Sequence, residues 1–112
     1  MIEEYEFGRI VIDGDEYTAD VIVTPDGVDD SWWRNEGHRL CLEDLEDVFA
    51  ARPEVLVVGT GASGRMQVPA DVQEAVTGCG IEMRVARTAE ATKLYNELAP
   101  TRRTVAALHL TC

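Results

Sequence analysis

Apolar and polar residues alternate from Tyr5 to Val23, with Tyr5, Phe7, Ile10 and Ile12 before an Asp13-Gly14 pair and Tyr17, Ala19, Val21 and Val23 after it. Alternation around a D-G pair predicts a β-hairpin. At Gly8 the alternation slips by one residue, which is expected to mark a bulge. Thr24 to Ser31 is turn chemistry. The period then changes. Leu42, Leu45, Val48 and Phe49 fall on one face of a predicted helix over 42–51, while Glu43, Asp44, Glu46 and Asp47 point outward and Pro53 ends the segment.

Val55 to Val58 is an uninterrupted apolar run, as expected of a strand covered on both faces. Pro69 suits the first position of a second helix, with Val72, Ala75 and Val76 inside and Gly78 and Gly80 as stop signals. A strand over 81–85 follows. Thr88 is placed to cap a third helix, whose inner stripe is Ala91, Leu94, Tyr95 and Leu98 before Pro100, and Thr104 to Leu110 is the last strand.

This order predicts a single α/β domain over residues 1–112: an N-terminal β-hairpin (1–24), a tryptophan-containing loop (25–41) and three helix-strand units (42–112). Short links between alternating helices and strands imply right-handed crossovers. The expected architecture is therefore three-layer, with a central mixed or mostly parallel sheet of about five strands flanked by helices. A chain of 112 residues buries enough surface for one modest core without metal or disulfides.

Charge narrows the partners. Ten basic against 21 acidic residues give a formal charge of −11, which opposes phosphate backbones and anionic membranes, so neither nucleic acid nor membrane is expected as a partner. Only Lys93 is lysine, and the acids are spread along the whole chain, a pattern that suits a proteome adapted to high salt. Three widely spaced cysteines, Cys41, Cys79 and Cys112, read as reduced thiols. With no signal-peptide pattern after Met1, a cytoplasmic location is expected.

Gly59, Gly61 and Gly64 have the G-x-G-x-x-G spacing of a dinucleotide loop. That chemistry needs a helix to open inside the turn, so that free N–H groups face the pyrophosphate. Here Arg65 to Val68 intervene before Pro69, no acidic residue ends the next strand, and no cofactor is expected. The same glycines serve equally to let a tight loop pass close to neighbouring backbone. A small anion site built from the loop amides and Arg65 stays open.

His38-x-x-Cys41 and His109-x-x-Cys112 repeat one spacing, but the two pairs lie far apart in sequence and no metal is expected. His109 with Cys112 is the one candidate base and nucleophile, against which stands the position of His109 in an apolar run. Ser63 lacks a nucleophile elbow, because Met66 stands where that motif needs glycine. In Trp32-Trp33-Arg34 one indole of the pair should face outward, and exposed Trp and Arg together are enriched at binding hot spots.

Tyr5-Glu6-Phe7-Gly8, Trp32-Trp33-Arg34, Gly37-His38, Val57 to Gly61, Val68-Pro69, Gly80-Ile81, Thr88, Ala91, Tyr95-Asn96 and the ending Val105 to His109 with Thr111-Cys112 form an ordered set. In that order and spacing the chain resembles a family of small α/β domains founded on an uncharacterised methanogen protein. The family includes the animal adipogenesis-associated domain protein and the mitochondrial complex I assembly factor 3. The resemblance implies a three-layer α/β fold with an added N-terminal β element, and binding or assembly rather than an agreed reaction.

Ligands of parallel α/β sheets gather beyond the carboxyl ends of the strands. Should the last strand run parallel to its neighbours, Gly59 to Arg65, Arg87-Thr88 and His109 to Cys112 share one rim. Should it run antiparallel, His109 leaves the group. The expected function is a noncatalytic binding or assembly module for a protein partner or small anionic ligand, using Trp33, Arg34, Gly59, Gly61, Arg65 and His109. The alternative is an enzyme using a His109/Cys112 cleft.

Overall fold

A computed structural model describes all 112 residues. The first 17 residues form a three-stranded antiparallel meander of β1 (Ile2–Glu6), β2 (Arg9–Ile12) and β3 (Asp15–Tyr17). The hairpin expected around Asp13-Gly14 is present as β2 and β3, and β1 adds a third strand to it. Gly8 is not a bulge but part of a two-residue turn with Phe7, and its φ of +76° is the conformation for which glycine is suited. The slip in alternation therefore marks a reversal of the chain. A true irregularity lies earlier, between Ile2 and Glu4.

β4 (Val21–Thr24) leaves the meander for a second sheet, where it pairs with β5 (Gly27–Asp29) across the Pro25-Asp26 turn. The boundary expected after residue 24 consequently falls inside a hairpin of the main sheet. That sheet continues with β6 (Val55–Thr60), β7 (Glu82–Ala86) and β8 (Thr104–His109), in spatial order β5-β4-β8-β6-β7. β8, β6 and β7 are mutually parallel, and β4 and β5 run antiparallel to each other, with β4 antiparallel to β8. The sheet is mixed, as the pattern predicted.

Three helices link the strands. A 3-10 turn over Leu42–Leu45 leads into α1 (Glu46–Ala51), α2 covers Ala70–Gly78, and α3 covers Thr88–Leu98. The predicted first helix is therefore split. Asp44 explains the split: its carboxylate accepts the Cys41 N–H at 2.9 Å and the Asn35 N–H at 3.2 Å, tying the opening turn to the preceding loop. Arg52, at φ +49°, ends α1 before Pro53.

Alternation along the central strands sorts their side chains into two cores. Ile22, Leu56, Val58, Val105 and Ala107 pack with Leu45, Val48, Val72 and Val76 on the α1/α2 side. Val21, Val23, Val55, Val57, Ala106 and Leu108 pack with Ala91 and Tyr95 of α3 and with Ile2, Ile10 and Ile12 of the meander. The layers are helices α1 and α2, then the five-stranded sheet, then α3 beside the meander. Both faces of β6 and β8 are covered, which is why their sequences lack polar alternation.

Candidate functional site

Parallel pairing matches Gly59 with Leu108 and Thr60 with His109, while Gly59 faces Ala86 on the other side. The carboxyl ends of β6, β7 and β8 therefore share one rim. Antiparallel β4 begins at the same edge, since Val21 pairs with Leu108, and this brings Asp20 to the rim as well.

The glycine loop at this rim is filled from within the chain. Gly61 N–H donates to the Thr88 hydroxyl at 2.9 Å, and that hydroxyl donates to the His109 carbonyl. Thr88 is thus not the expected cap but the first residue of α3, bridging two strand ends with its side chain. Ala62 N–H donates to the Thr111 carbonyl at 2.6 Å, and Ser63 and Arg65 N–H groups donate to the Cys112 oxygen at 3.3 and 3.1 Å. The amides expected to meet a small anion hold the segment after β8 instead.

The glycines make this clasp sterically feasible. A Cβ on Gly61, whose φ is +104°, would lie 2.3 Å from the Cys112 carbonyl carbon. A Cβ on Gly59 would lie 2.8 Å from the Thr88 hydroxyl oxygen and 2.9 Å from a Leu108 methyl carbon. Close backbone approach, one of the two readings of the motif, accounts for both positions. α2 opens only at Ala70, so the helix that follows the loop does not start inside it as a dinucleotide fingerprint requires. Arg65 is exposed.

Beside the clasp lies a buried polar cluster. Arg34, expected at the surface, has a side chain only 5% exposed and is corrected here to an interior residue. Its guanidinium sits 4.7 Å over the Trp32 ring, with Nη1 2.8 Å from Asp20 Oδ2 and Nη2 donating to the Gly37 carbonyl at 3.1 Å. The Asp20 contact of Nη1 is a charge contact rather than an aligned hydrogen bond. Asp20 is the reason Arg34 turns inward, because a buried guanidinium needs an anion.

Burial pushes the Asp20 carboxyl upward, and the His109 ring, the Leu110 N–H at 2.7 Å and Arg34 together reverse this, leaving it below the ordinary aspartate value. His109 Nδ1 lies 2.9 Å from Asp20 Oδ2 and 3.1 Å from Arg34 Nη2. These contacts exclude one another, since Nδ1 either donates to the carboxylate or accepts from the guanidinium. Nε2 is sealed from solvent without a hydrogen-bond partner, and the His38 ring stands edge-on with its centroid 6.0 Å away. Neither ring nitrogen bonds Cys112. The His109/Cys112 pairing thus lacks the base-to-thiol hydrogen bond that would activate a nucleophile.

Cys41, Cys79 and Cys112 are free thiols. Burial first, then the carboxylates of Asp44, Glu36 and Glu43, raises the Cys41 thiol, which makes it a poor nucleophile. The two histidines meet, yet no three His, Cys, Asp or Glu side chains gather as a ligand set.

Trp32 and Trp33 divide as the alternation predicted. Trp32 is 7% exposed and donates its indole N–H to the Asp44 carbonyl at 2.9 Å, whereas Trp33 is 74% exposed. Trp33 borders an open cleft of about 210 Å³ whose rim carries Asp29, Glu43, Asp44, Glu46 and Asp47. The sequence located the exposed indole but not the cleft, whose walls come from β5 and from the start of α1.

Comparison with known proteins fits this fold. The profile of the family described as protein of unknown function (DUF498/DUF598) matches residues 2–110. The chain belongs to that family. Among solved structures, the conserved hypothetical protein PH1505 from Pyrococcus horikoshii is 32% identical, covering 100% of this chain and 99% of its own, with a TM-score of 0.85. The methanogen protein MT938 is 27% identical over 100% and 98% of the two chains, with a TM-score of 0.79. A Bordetella pertussis protein described as an Mth938-like domain shares the fold at 21% identity, TM-score 0.67, over 98% and 85%. A methanogen protein and an Mth938-like domain among these neighbours accord with the methanogen protein on which the resemblance rests, and their descriptions name no reaction. No helix of this member is long and apolar enough to cross a membrane.

Proposed function

We propose that this DUF498/DUF598 chain is a noncatalytic binding and assembly module that docks a protein partner through its Trp33 loop in the cytoplasm. One observation carries the reading: Trp33 is 74% exposed between two residues fixed in the fold, Trp32 and Arg34. A large apolar side chain on a rigid base is the anatomy of an interface hot spot, because little conformational freedom is left to lose on binding. Arg34 and His109 act here as positioning residues beneath the loop. Gly59 and Gly61 shape the neighbouring clasp, and Arg65 stands exposed beside it.

Resemblance to the animal and mitochondrial assembly proteins supports the same reading. A small anionic ligand is disfavoured as the occupant. The loop amides are engaged, the Arg34 charge is paired, and the surface beside Trp33 is acidic. The test is quantitative affinity capture from the source cytoplasm with wild type and Trp33→Ala. The reading expects at least one stoichiometric partner to fall more than about tenfold, a loss typical of a hot-spot truncation. Retention of every captured protein at its wild-type level would overturn it.

A further inference from the structure

The geometry points to a partner that presents a basic segment, with an arginine or lysine side chain laid on the Trp33 indole and its charge seated in the adjoining cleft. This rests on the docking role of Trp33 and adds the chemistry of the occupant. Two independent features meet at one place. The exposed indole offers an aromatic face, and aromatic faces attract guanidinium and ammonium groups. The cleft beside it is lined by Asp29, Glu43, Asp44, Glu46 and Asp47, and none of the five has a cation of this chain within ion-pair distance.

With 10 basic residues for 21 acidic ones, unpaired carboxylates are common on this chain. What distinguishes these is their gathering around one cleft that an exposed indole borders. Of the five, Asp44 is buried with its carboxylate held by backbone N–H groups, and the four exposed carboxylates of Asp29, Glu43, Glu46 and Asp47 repel each other until an incoming cation relieves that repulsion. A second copy of this chain is a poor occupant, because both would carry −11. Charge complementarity selects a basic segment.

The probe is an eight-residue arginine peptide, titrated into the full chain while the Trp33 indole N–H is followed by NMR at low and high salt. Wild type is expected to show a saturable shift of Trp33 and its cleft neighbours that weakens as salt rises. Trp33→Ala, and separately the triple variant Glu43→Gln, Glu46→Gln, Asp47→Asn, should each weaken binding about tenfold, the size of one lost cation–π or charge contact in a desolvated site. A control triple, Glu74→Gln, Glu90→Gln, Glu97→Gln, removes the same number of exposed charges away from the cleft and should leave affinity within about twofold.

Equal loss in both triple variants would mean attraction to net charge alone and would overturn the proposal. So would saturation of the cleft by magnesium or calcium with no peptide response. If affinity capture still depends on Trp33 but the arginine peptide does not bind, the basic-partner inference fails while the docking role stands. If both fail, the docking role falls with it.

Discussion

The glycine loop and the tryptophan loop border one rim, and they teach opposite lessons about where function resides. Residues 59–65 carry the more familiar pattern, yet their donors are occupied by Thr88, Thr111 and Cys112. The Trp32-Trp33-Arg34 segment matches no catalytic motif, yet two of its three side chains are committed to the interior in a way that leaves the third projecting. A motif proposes chemistry; what remains unengaged in the folded chain decides whether it is offered to a partner.

The contrast breaks most directly at Gly61. Gly61→Ala drives a methyl group into the backbone of Cys112 and forces a side chain into a left-handed φ, so we expect it to cost more than about 3 kcal/mol in urea unfolding. A cost below about 1 kcal/mol would show that the clasp yields freely. Next in size is Arg34→Met, which keeps the aliphatic stem over Trp32 but removes the charge beside Asp20. We expect a loss of about 2 to 3 kcal/mol, at the lower end because Asp20 is partly exposed and keeps the Leu110 N–H.

Asp20 sharpens the comparison through pH. Its folded-state pKa is depressed, so the stability it supplies is fully present above the unfolded aspartate value and is lost as pH falls through the lower folded value, in the range below about pH 4. Asp20→Asn should lower stability at neutral pH by at least as much as Arg34→Met does, because it leaves the more deeply buried guanidinium without its anion, and it should flatten the acid limb of the stability curve. An unchanged acid limb would remove Asp20 from the account. Trp33→Ala has the smallest expected effect on folding, within about 0.5 kcal/mol of wild type, as for an exposed side chain without partners.

Much of the fold was legible because burial on both faces leaves a strong signature. The apolar runs of β6 and β8 and the stripe of α3 follow from periodicity alone. Short segments were less legible. β3 and β5 have three residues each, too few for alternation to show which sheet they join, and Gly8 looks alike as bulge or turn.

The site was legible only in part. Trp33 could be singled out because adjacent residues of extended chain face opposite ways. Asp20 could not, because its partners Arg34, His109 and Leu110 are distant in sequence and meet only when β4 pairs with β8. Arg34 misleads for the same reason: without Asp20 in view, an arginine beside an outward indole looks like surface. The carbonyls that fill the glycine loop belong to the final residues and carry no side-chain signal at all.

The most direct test places a photoreactive benzoylphenylalanine at position 33, with the same residue at the exposed edge position Val85 as reference, and irradiates each chain in lysate of its source cells. The account predicts a discrete protein adduct from position 33 that is absent from position 85 and is suppressed by excess unlabelled wild-type chain. No adduct from position 33, or identical adducts from both positions, would contradict the claim that the unengaged indole is where this fold meets its partner.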